Sequence, residues 1–175
     1  LTMIGKGKSI SHGVAALEYD LAKEINGQAV ATEIARHELY GCTGAEMVQE
    51  MKPYHIDFPN VKNNCLRFEV SPSIEESATF TDADWAELGN DFMQRMGLAN
   101  HQYIIIRHSG TESKKEQAHL HILANRVSLS GELYRDNWIG KKATEAANAI
   151  AKERNFVQSQ DIGKVNKAEI KEAMD

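Results

Sequence analysis

Two short apolar segments, QYIIIRH and AHLHILANRVSL, constrain the fold of this chain more than any other feature. Each has the length and the aliphatic character of a strand, and a polar stretch from Ser109 to Gln117 joins them. Side chains alternate along a strand, so His119 and His121 project from the same face. If the two strands pair as a hairpin, His108, which ends the first strand, is delivered to the neighbourhood of these two rings.

The rest of the chain alternates between helical and strand patterns. Apolar residues at helical spacing predict helices in SHGVAALEYDLAKEI, TGAEMVQEMKPY, TDADWAELGNDFMQRMG, GKKATEAANAIAKERN and, at the end, NKAEIKEAM. The alternation in NCLRFEVS predicts a strand with one solvent-facing side, whereas QAVATEIARHELY suits a strand or a helix. This order of elements predicts an α+β fold with one central, mostly antiparallel sheet and helices packed on it.

The first and third helices have definable ends and buried faces. Ser11 is the expected N-cap of the first helix and Thr81 that of the third, which Gly97 ends. The residues expected to face the core are Val14, Leu17, Leu21 and Ile25 in the first helix and Trp85, Leu88, Phe92 and Met96 in the third. Tyr19 falls on the opposite side of the first helix, so we expect its phenol to point away from the core.

The composition bounds the class of protein. With 175 residues, 42% of them hydrophobic, the chain suits one compact domain, and it has neither a secretory signal nor an apolar run long enough to span a membrane. These features and the presence of only two cysteines predict a soluble intracellular protein with reduced thiols.

The charges are unevenly distributed along the sequence. A net charge of −5 argues against general binding of polyanions. However, residues 69–91 contain seven acids and no base, whereas residues 107–154 contain nine bases and six acids. A locally basic surface therefore remains compatible with an anionic ligand, although a charged, solvated helix surface explains the acidic run equally well.

Three neutral imidazoles that converge on one point form a suitable site for a divalent metal ion, with positions left open for a substrate. We therefore predict that His108, His119 and His121 are metal ligands. Such a site polarises a phosphoryl or carbonyl oxygen or activates water, and spacing alone does not choose between these reactions. The four other histidines are not clustered in the sequence, and an isolated histidine is more often an ordinary structural or surface residue.

Tyr19 is a second candidate for chemistry. An exposed helical tyrosine is most often part of an amphipathic surface. Tyr19, however, shares its side of the helix with Lys23 and follows the segment GKGKS, whose glycines and whose Lys6 and Lys8 suit close contact with phosphate. This segment is not a complete P-loop. A phenol is protonated at neutral pH and becomes a useful nucleophile only when a base takes its proton or the electrophile is strongly activated.

These residues together resemble the relaxases, or mobilisation nucleases, of the HUH endonuclease superfamily. The histidine-hydrophobic-histidine pair with an upstream histidine, followed by ANRV, is similar to the relaxase signature. KGKSISHGVAALEYDLAKE resembles the family's basic opening strand and tyrosine-bearing helix, and NNCLRFEVSPSIEESATFTDADWAELGNDFMQRMGL resembles its strand, Pro-containing loop and amphipathic helix. The resemblance implies a nuclease domain over residues 3–156, followed in residues 157–175 by a connector and a short helix that lead to further domains of a longer relaxase.

The resemblance also implies a function and a mechanism. A divalent ion on the three histidines would polarise a DNA phosphate, and Tyr19 would attack it to leave a 5′-phosphotyrosine link and a free 3′-hydroxyl. Because one phosphodiester replaces another, rejoining needs no ATP. Imidazole ligands suit zinc or nickel by softness, whereas the family typically works with magnesium or manganese.

The implied activity is site- and strand-specific nicking that begins conjugative mobilisation of a plasmid or another mobile element in the bacterial cytoplasm. The implied partners are single-stranded DNA, the hairpin or duplex of an origin of transfer, and accessory relaxosome proteins, with no membrane involved.

The sequence departs from the family pattern around the histidines. The family often has an aspartate soon after the first of them, where this chain has Ser109 and Gly110. The family also often has an acidic residue shortly before the pair of histidines that corresponds to His119 and His121. Glu116 is the candidate for the acid that orients a ligand or accepts the tyrosine proton, ahead of Glu112. A solvated loop glutamate explains Glu116 equally well.

Candidate DNA contacts follow from charge and aromaticity. Lysine and arginine suit phosphates, and an aromatic ring stacks on an unpaired base, although each such residue is compatible with ordinary surface. The candidates are Lys6, Lys8, Arg126 and Lys141 for phosphates, Asn125 from the relaxase-like signature, and Trp138 for stacking.

Two other functions fit parts of the pattern. A histidine-triad nucleotide hydrolase needs histidine at three alternate positions, and Leu123 stands where the third would be, which makes this alternative the weaker one. A non-catalytic DNA-binding protein, in which the three histidines hold a structural metal ion, needs no nucleophile, so substitution of Tyr19 discriminates it from a relaxase.

Overall fold

The computed structural model describes residues 3–110 and 117–156. Its strands are β1 (Ile4–Ile10), β2 (Glu24–Ile25), β3 (Gln28–Ala29), β4 (Ala31–His37), β5 (Cys65–Ser71), β6 (Tyr103–His108) and β7 (His119–Asn125). Its helices are α1 (Gly13–Ala22), α2 (Gly44–Met51), α3 (Ile74–Ser77), α4 (Asp82–Arg95) and α5 (Ile139–Glu153), and a 3-10 turn covers Lys52–His55. The predicted connector and last helix, residues 157–175, lie outside the described residues.

Five of the strands form one sheet in the order β1-β5-β7-β6-β4, and every neighbouring pair is antiparallel. The predicted α+β fold with a central antiparallel sheet is therefore confirmed. The ambiguous segment QAVATEIARHELY contains strand β4, which pairs with β6. Strands β2 and β3 form a separate two-residue-per-strand hairpin, whose turn places Asn26 and Gly27 at positive φ.

Helices cover both faces of the sheet. Leu120 and Ile122 of β7 belong to the core that α4 and α5 form on one face. Leu123 belongs to the core under α1 and α2 on the other face. His119 and His121 alternate with the first set, so they lie on the face that α1 and α2 cover. Among the described residues, we find no helix with the length and apolar character needed to cross a membrane.

Helix α4 forms as the sequence predicts. The Asp84 amide donates to the Thr81 hydroxyl at 3.2 Å and the Thr81 amide donates to the Asp84 carboxylate at 2.9 Å, which completes a capping box. The predicted inward row, Trp85, Leu88, Phe92 and Met96, is buried. Gly97 has a φ of +77°, which glycine adopts without steric cost, and it follows Met96, the C-cap of the helix.

Helix α1 differs from its predicted form at its start and in its orientation. Its N-cap is His12 rather than Ser11, and no side chain caps it. Its buried residues are Gly13, Ala16, Leu17 and Asp20, whereas Val14 is 39% exposed. Ile25 lies beyond the helix in β2. At about 100° per residue, the buried face is rotated by roughly a quarter turn from the predicted stripe.

Two contacts with β5 explain this rotation. Gly13 lies so close to the sheet that a Cβ on it would stand 2.7 Å from the Cys65 sulfur. Asp20 faces the sheet because Arg67 of β5 binds its carboxylate. Tyr19 nevertheless points away from the core, as predicted, with 63% of its surface exposed.

Helix α5 packs directly on the edge strand β1. A Cβ on Gly5 would stand 2.3 Å from the carbonyl oxygen of Ala143, and one on Gly7 would stand 2.7 Å from the Phe68 ring. These glycines therefore serve close packing against α5 and Phe68 rather than the phosphate contact that the sequence suggested. Lys6 alternates with them and projects from the opposite face of the sheet.

Candidate functional site

The three predicted metal ligands come together on one face of the sheet. In the β6–β7 pair, His108 lies opposite His119, and His121 lies opposite Ile106. The Nε2 atoms of His119 and His121 are 3.0 Å apart, and the ring centroids of His108 and His121 are 4.3 Å apart. One nitrogen from each of the three rings lies within 4.8 Å of the others. The predicted hairpin and the convergence of the three rings are therefore confirmed.

Main-chain carbonyl groups determine which nitrogen carries the lone pair in two of the rings. His108 Nε2 lies 2.7 Å from the carbonyl oxygen of Asp20, and His119 Nδ1 lies 2.8 Å from that of Gln117. Because a carbonyl oxygen only accepts hydrogen bonds, each of these nitrogens carries a proton and donates it. In neutral rings the lone pairs then reside on His108 Nδ1 and His119 Nε2, which is the usual arrangement of metal-binding imidazoles.

The environment of His108 tests whether this cluster fits a metal ion. His108 is 1% exposed, and its Nδ1 atom is buried with no hydrogen-bond partner among the described residues. Buried polar atoms are nearly always satisfied, so an orphaned lone pair at this position fits a cation. A set of three imidazole nitrogens also fits a divalent ion and leaves coordination positions for substrate or water.

Burial favours the neutral form of the rings. Burial, followed by the neighbouring His108 and His119, lowers the pKa of His121 to about 2. Burial also lowers the pKa of His108, although its hydrogen bond to Asp20 opposes that shift. Neutral rings offer lone pairs to a cation at physiological pH, whereas protonated rings would repel it.

A two-point ion pair fastens the end of α1 beside the histidine cluster. The Asp20 carboxylate is 1% exposed and accepts from Arg67 Nη2 at 2.5 Å and from Arg67 Nε at 3.3 Å. The carbonyl oxygen of the same residue holds His108, so Asp20 connects α1 to both β5 and β6. Tyr19 directly precedes Asp20 in the chain. The structure therefore brings the helix that carries Tyr19 against the three histidines.

An open cavity of about 220 Å³ adjoins the cluster on the side of β1. Its position follows from the strand register, since Lys6 lies opposite Glu69 and Glu69 lies opposite His121. The lining residues are Lys6, Gly7, Lys8, Arg67, Phe68, Glu69 and His121. The lining contains more cationic than acidic side chains, so it suits an anionic group.

Asn125, which the signature suggested for DNA contact, is completely buried. Its amide nitrogen donates to the Met51 carbonyl and to Gln102, and its amide oxygen lies 2.7 Å from His55 Nε2. These bonds join α2, the 3-10 turn and β7 through the interior. Direct contact with DNA does not fit this placement.

Arg126 also has a structural placement. Its guanidinium donates to the carbonyl oxygens of Tyr134 and Asn63, at 2.9 and 3.2 Å, and lies 3.3 Å from the Asp136 carboxylate. Only 13% of its side chain is exposed. The observed contacts assign Arg126 to holding the loop that precedes α5, and its contact with a DNA phosphate stays a prediction.

The remaining candidates divide between the two faces of the sheet. Lys6 and Lys8 are exposed and border the cavity beside His121. Lys141 is exposed on α5, which covers the opposite face. Glu116 lies outside the described residues.

The sequence interpretation missed Asp20 and Arg67. The apolar stripe of α1 excluded Asp20 from the buried face, and the alternation in β5 assigned Arg67 to solvent. The available signal was that Arg67 and the two histidines of β7 lie on strands of one sheet, but nothing in a single sequence pairs position 67 with position 20. Only the rotation of α1 makes that contact.

The chain matches the family described as "Relaxase: MobA/VirD2-like, nuclease domain" over residues 19–156. That match includes Tyr19 and all three histidines of the cluster. The chain therefore belongs to the MobA/VirD2-like relaxase family. No protein of curated function matches it significantly in sequence.

The fold is also similar to a solved structure described as the MobM relaxase domain bound to a 26-nucleotide pMV158 oriT DNA. The two structures superpose with a TM-score of 0.56 over 91% of this chain and 90% of the other, at 9% sequence identity. At such low identity, this likeness establishes a shared fold.

Proposed function

We propose that this protein nicks one DNA strand at a specific site of an origin of transfer and later rejoins it, through a covalent intermediate on Tyr19. The observation that carries the proposal is the hydrogen bond from His108 to the Asp20 carbonyl, because it fixes the Tyr19-bearing helix beside the histidine cluster. Membership of the relaxase family supports DNA cleavage. The oriT DNA bound to MobM supports the kind of substrate.

Tyr19 is the proposed nucleophile. Its phenolic oxygen bonds to the phosphorus while the bond between phosphorus and the 3′ oxygen breaks, and the products are a 5′-phosphotyrosine and a 3′-hydroxyl. The phenol loses its proton to solvent or to an acid, for which Glu116 is the candidate from the sequence, and the 3′ oxygen gains one. Attack by a 3′-hydroxyl in the reverse direction restores the phosphodiester, so rejoining consumes no ATP.

The histidines and the neighbouring lysines have separate roles in this proposal. His108, His119 and His121 hold a divalent metal ion, which supplies Lewis-acid stabilisation of charge on the scissile phosphate. Magnesium or manganese follows from the family, and zinc or nickel suits the imidazole ligands. Lys6 and Lys8 bind phosphates of the strand in the adjoining cavity. Accessory relaxosome proteins and a bacterial cytoplasmic location belong to the same proposal and depend on family membership alone.

The first test is the detection of the covalent intermediate. The full chain is incubated with magnesium or manganese and a labelled oligonucleotide library, and adducts are mapped by peptide mass spectrometry. We expect one adduct, at Tyr19, and a loss of about a thousandfold or more in its rate of formation in Tyr19→Phe. Tyr40→Phe is the matched control, because Tyr40 is also exposed, at 75%, and lies outside the site. An undiminished adduct in Tyr19→Phe would reject the proposed nucleophile.

The second test is removal of the metal ligands. We expect EDTA, His119→Ala and His121→Ala each to abolish adduct formation, because each removes the ion or a ligand from it. The two variants should also lose tight binding of manganese or zinc in calorimetric titrations. His12→Ala, which changes an exposed histidine outside the cluster, should keep both properties. Normal metal binding without any adduct in the unmodified protein would instead favour the non-catalytic alternative.

A further inference from the structure

The side chain of Trp138, immediately before α5, is largely exposed to solvent. It is 78% exposed, whereas the second tryptophan of the chain, Trp85, is 3% exposed and packs edge-on against Phe80. A large aromatic surface left in water favours whatever ligand covers it, and tryptophan combines this surface with few rotatable bonds.

The backbone at Trp138 is strained. Its φ and ψ are +59° and +28°, in the left-handed region that bulky residues rarely adopt. Such conformations persist only where the surrounding structure enforces them, and they are concentrated at binding and catalytic sites. The turn that ends at Trp138 therefore presents the indole in an orientation that an ordinary helix start would not provide.

Hydrogen bonds hold this turn against the body of the domain. The Asp136 carboxylate accepts from the Ser9 hydroxyl of β1 at 2.7 Å and lies 3.3 Å from the Arg126 guanidinium. Tyr134 donates its hydroxyl to the Met96 carbonyl at 2.7 Å. The turn is thus tied to β1 and to the end of α4, so a ligand that stacks on Trp138 meets a ring on a fixed support.

The cavity beside the indole contains more basic than acidic side chains. A cavity of about 300 Å³ is lined by Trp138, Lys141, Lys142 and Glu145. The first turn of α5 contains no acid. Glu145 is the acid of the cavity, and it lies 3.9 Å from Lys141 in an exposed pair that contributes little to stability. An aromatic face flanked by lysines matches an unpaired base and its neighbouring phosphates.

This turn also lies against the edge strand that borders the cavity of the proposed cleavage site. The first turn of α5 approaches β1, where a Cβ on Gly140 would stand 3.8 Å from the Gly7 carbonyl oxygen. Lys6 and Lys8, on either side of Gly7, line the cavity that adjoins His121. Strand β1 lies two interstrand spacings, about 10 Å, from the strand that carries His121. Because β1 is an edge strand, a DNA strand that leaves the histidine cluster across β1 and bends round this edge reaches α5 on the opposite face and Trp138 before it.

We infer that Trp138 is a stacking platform for an unpaired base of the DNA strand that extends from the histidine cluster across β1, with Lys141 on a flanking phosphate. The inference rests on the proposed function, since it assumes a single-stranded DNA substrate, and it adds a second contact region outside the cleavage site.

The direct test uses the intrinsic fluorescence of Trp138. The full chain with magnesium is titrated with an oligothymidylate of about 16 nucleotides, which spans a typical single-strand footprint. We expect emission from the exposed indole to be quenched in proportion to binding measured independently by anisotropy of an end-labelled oligonucleotide. Trp138→Phe leaves the buried Trp85 as the second tryptophan of the chain, so the emission that this variant loses belongs to Trp138.

Variants separate stacking from electrostatic attraction. We expect Trp138→Ala to weaken binding of the oligothymidylate by about five- to a hundredfold, without changing the slope of log affinity against log salt concentration. Trp138→Phe should retain most of the affinity because it keeps an aromatic face. Lys141→Gln should lower the slope by about 0.7. Trp138→Gly controls for folding, since glycine accepts positive φ without strain, and it should weaken binding while matching the unmodified protein in thermal stability.

The outcomes distinguish this inference from the proposed function. Tight binding with unquenched Trp138 emission, or unchanged affinity in both Trp138→Ala and Trp138→Gly, would overturn the stacking platform while leaving cleavage at Tyr19 intact. Absence of a Tyr19 adduct from the library experiment, together with quenching at Trp138, would reject the cleavage mechanism and keep the platform. Failure of the unmodified protein to bind any single-stranded DNA would overturn both.

Discussion

At the scale of single residues, the orientation of the His108 ring decides which of its nitrogen atoms is available to a metal ion. The ring is oriented by a carbonyl of a different element, and the lone pair on Nδ1 is buried without a protein partner. Carboxylates commonly orient metal-binding histidines, whereas main-chain carbonyls of Asp20 and Gln117 do so for two rings here. Such an arrangement makes the position of the His108 ring, a proposed metal ligand, depend on the position of α1.

The Asp20–Arg67 pair yields a prediction at the same scale. The Asp20 side chain is 1% exposed and the Arg67 side chain is 22% exposed. If Asp20 is neutralised, the Arg67 guanidinium still reaches water, whereas removal of Arg67 leaves the Asp20 carboxylate buried. We expect Arg67→Met to lower the free energy of unfolding by about 3–5 kcal/mol, because it leaves a buried carboxylate unpaired, and Asp20→Asn to cost less. Urea denaturation of the metal-free chain measures both.

The double variant Asp20→Asn/Arg67→Met serves as the control for this prediction. It should be more stable than Arg67→Met alone, since the unpaired charge is gone. Equal costs for the two single variants, or strictly additive costs in the double variant, would contradict the proposed asymmetry.

At the scale of whole elements, local patterns predicted the elements better than their orientations. The α4 helix carries its own capping box and its own apolar row, so its sequence contains the information for its boundaries and its buried face. Strands β6 and β7 were recognisable from alternation, and the short polar connection between them made their pairing predictable. The convergence of the three histidines followed from these two local facts.

Helix α1 could not be oriented from its sequence, because its contacts are with distant residues. Two contacts with β5, rather than the apolar stripe, determine which side of α1 is buried. They are the close approach of Gly13 and the buried ion pair of Asp20, and both involve residues some fifty positions further along the chain. The same limit explains Asn125 and Arg126. Both were predicted to contact DNA from their sequence neighbourhood, but their hydrogen bonds join distant parts of the chain that only folding brings together. Asn125 bonds to α2 and to Gln102, and Arg126 bonds to the loop before α5.

The packing of α1 gives a prediction for one glycine. We expect Gly13→Ala to lower the free energy of unfolding by about 1–3 kcal/mol, since the added methyl would meet Cys65 Sγ at 2.7 Å and push the helix from β5. The displacement would also move Tyr19, so the rate of adduct formation should fall. Thermal or urea unfolding and the adduct assay measure the two effects.

Gly140→Ala is the matched control in α5. A Cβ there would stand 3.8 Å from the nearest atom outside its own helix, in ordinary contact, so this variant should gain up to about 1 kcal/mol from alanine's higher helix propensity. A stabilising effect at both glycines would show that the approach of α1 to β5 is not tight.

The charge of the whole molecule and the charge of its proposed DNA path have opposite signs. A net charge of −5 repels a polyanion at long range, yet Lys6, Lys8 and Arg67 line the cavity beside His121. Salt screens the repulsion and weakens the local attraction together, so the local lysines must dominate for the protein to bind a single strand at physiological ionic strength. The cationic side chains of the cavity thereby determine where on the domain the strand is held.

This balance leads to a prediction about salt. We expect the affinity for single-stranded DNA to fall as salt rises, and Lys6→Gln and Lys8→Gln each to lower the slope of log affinity against log salt by about 0.7, because each removes one phosphate contact. Lys152→Gln, at the far end of α5 and equally exposed, should shift the overall affinity slightly and leave the slope unchanged. Fluorescence anisotropy across a series of salt concentrations measures all three variants. An unaltered slope in both β1 variants would place the DNA path away from this strand, and a salt-independent affinity in the unmodified protein would remove the electrostatic basis for binding.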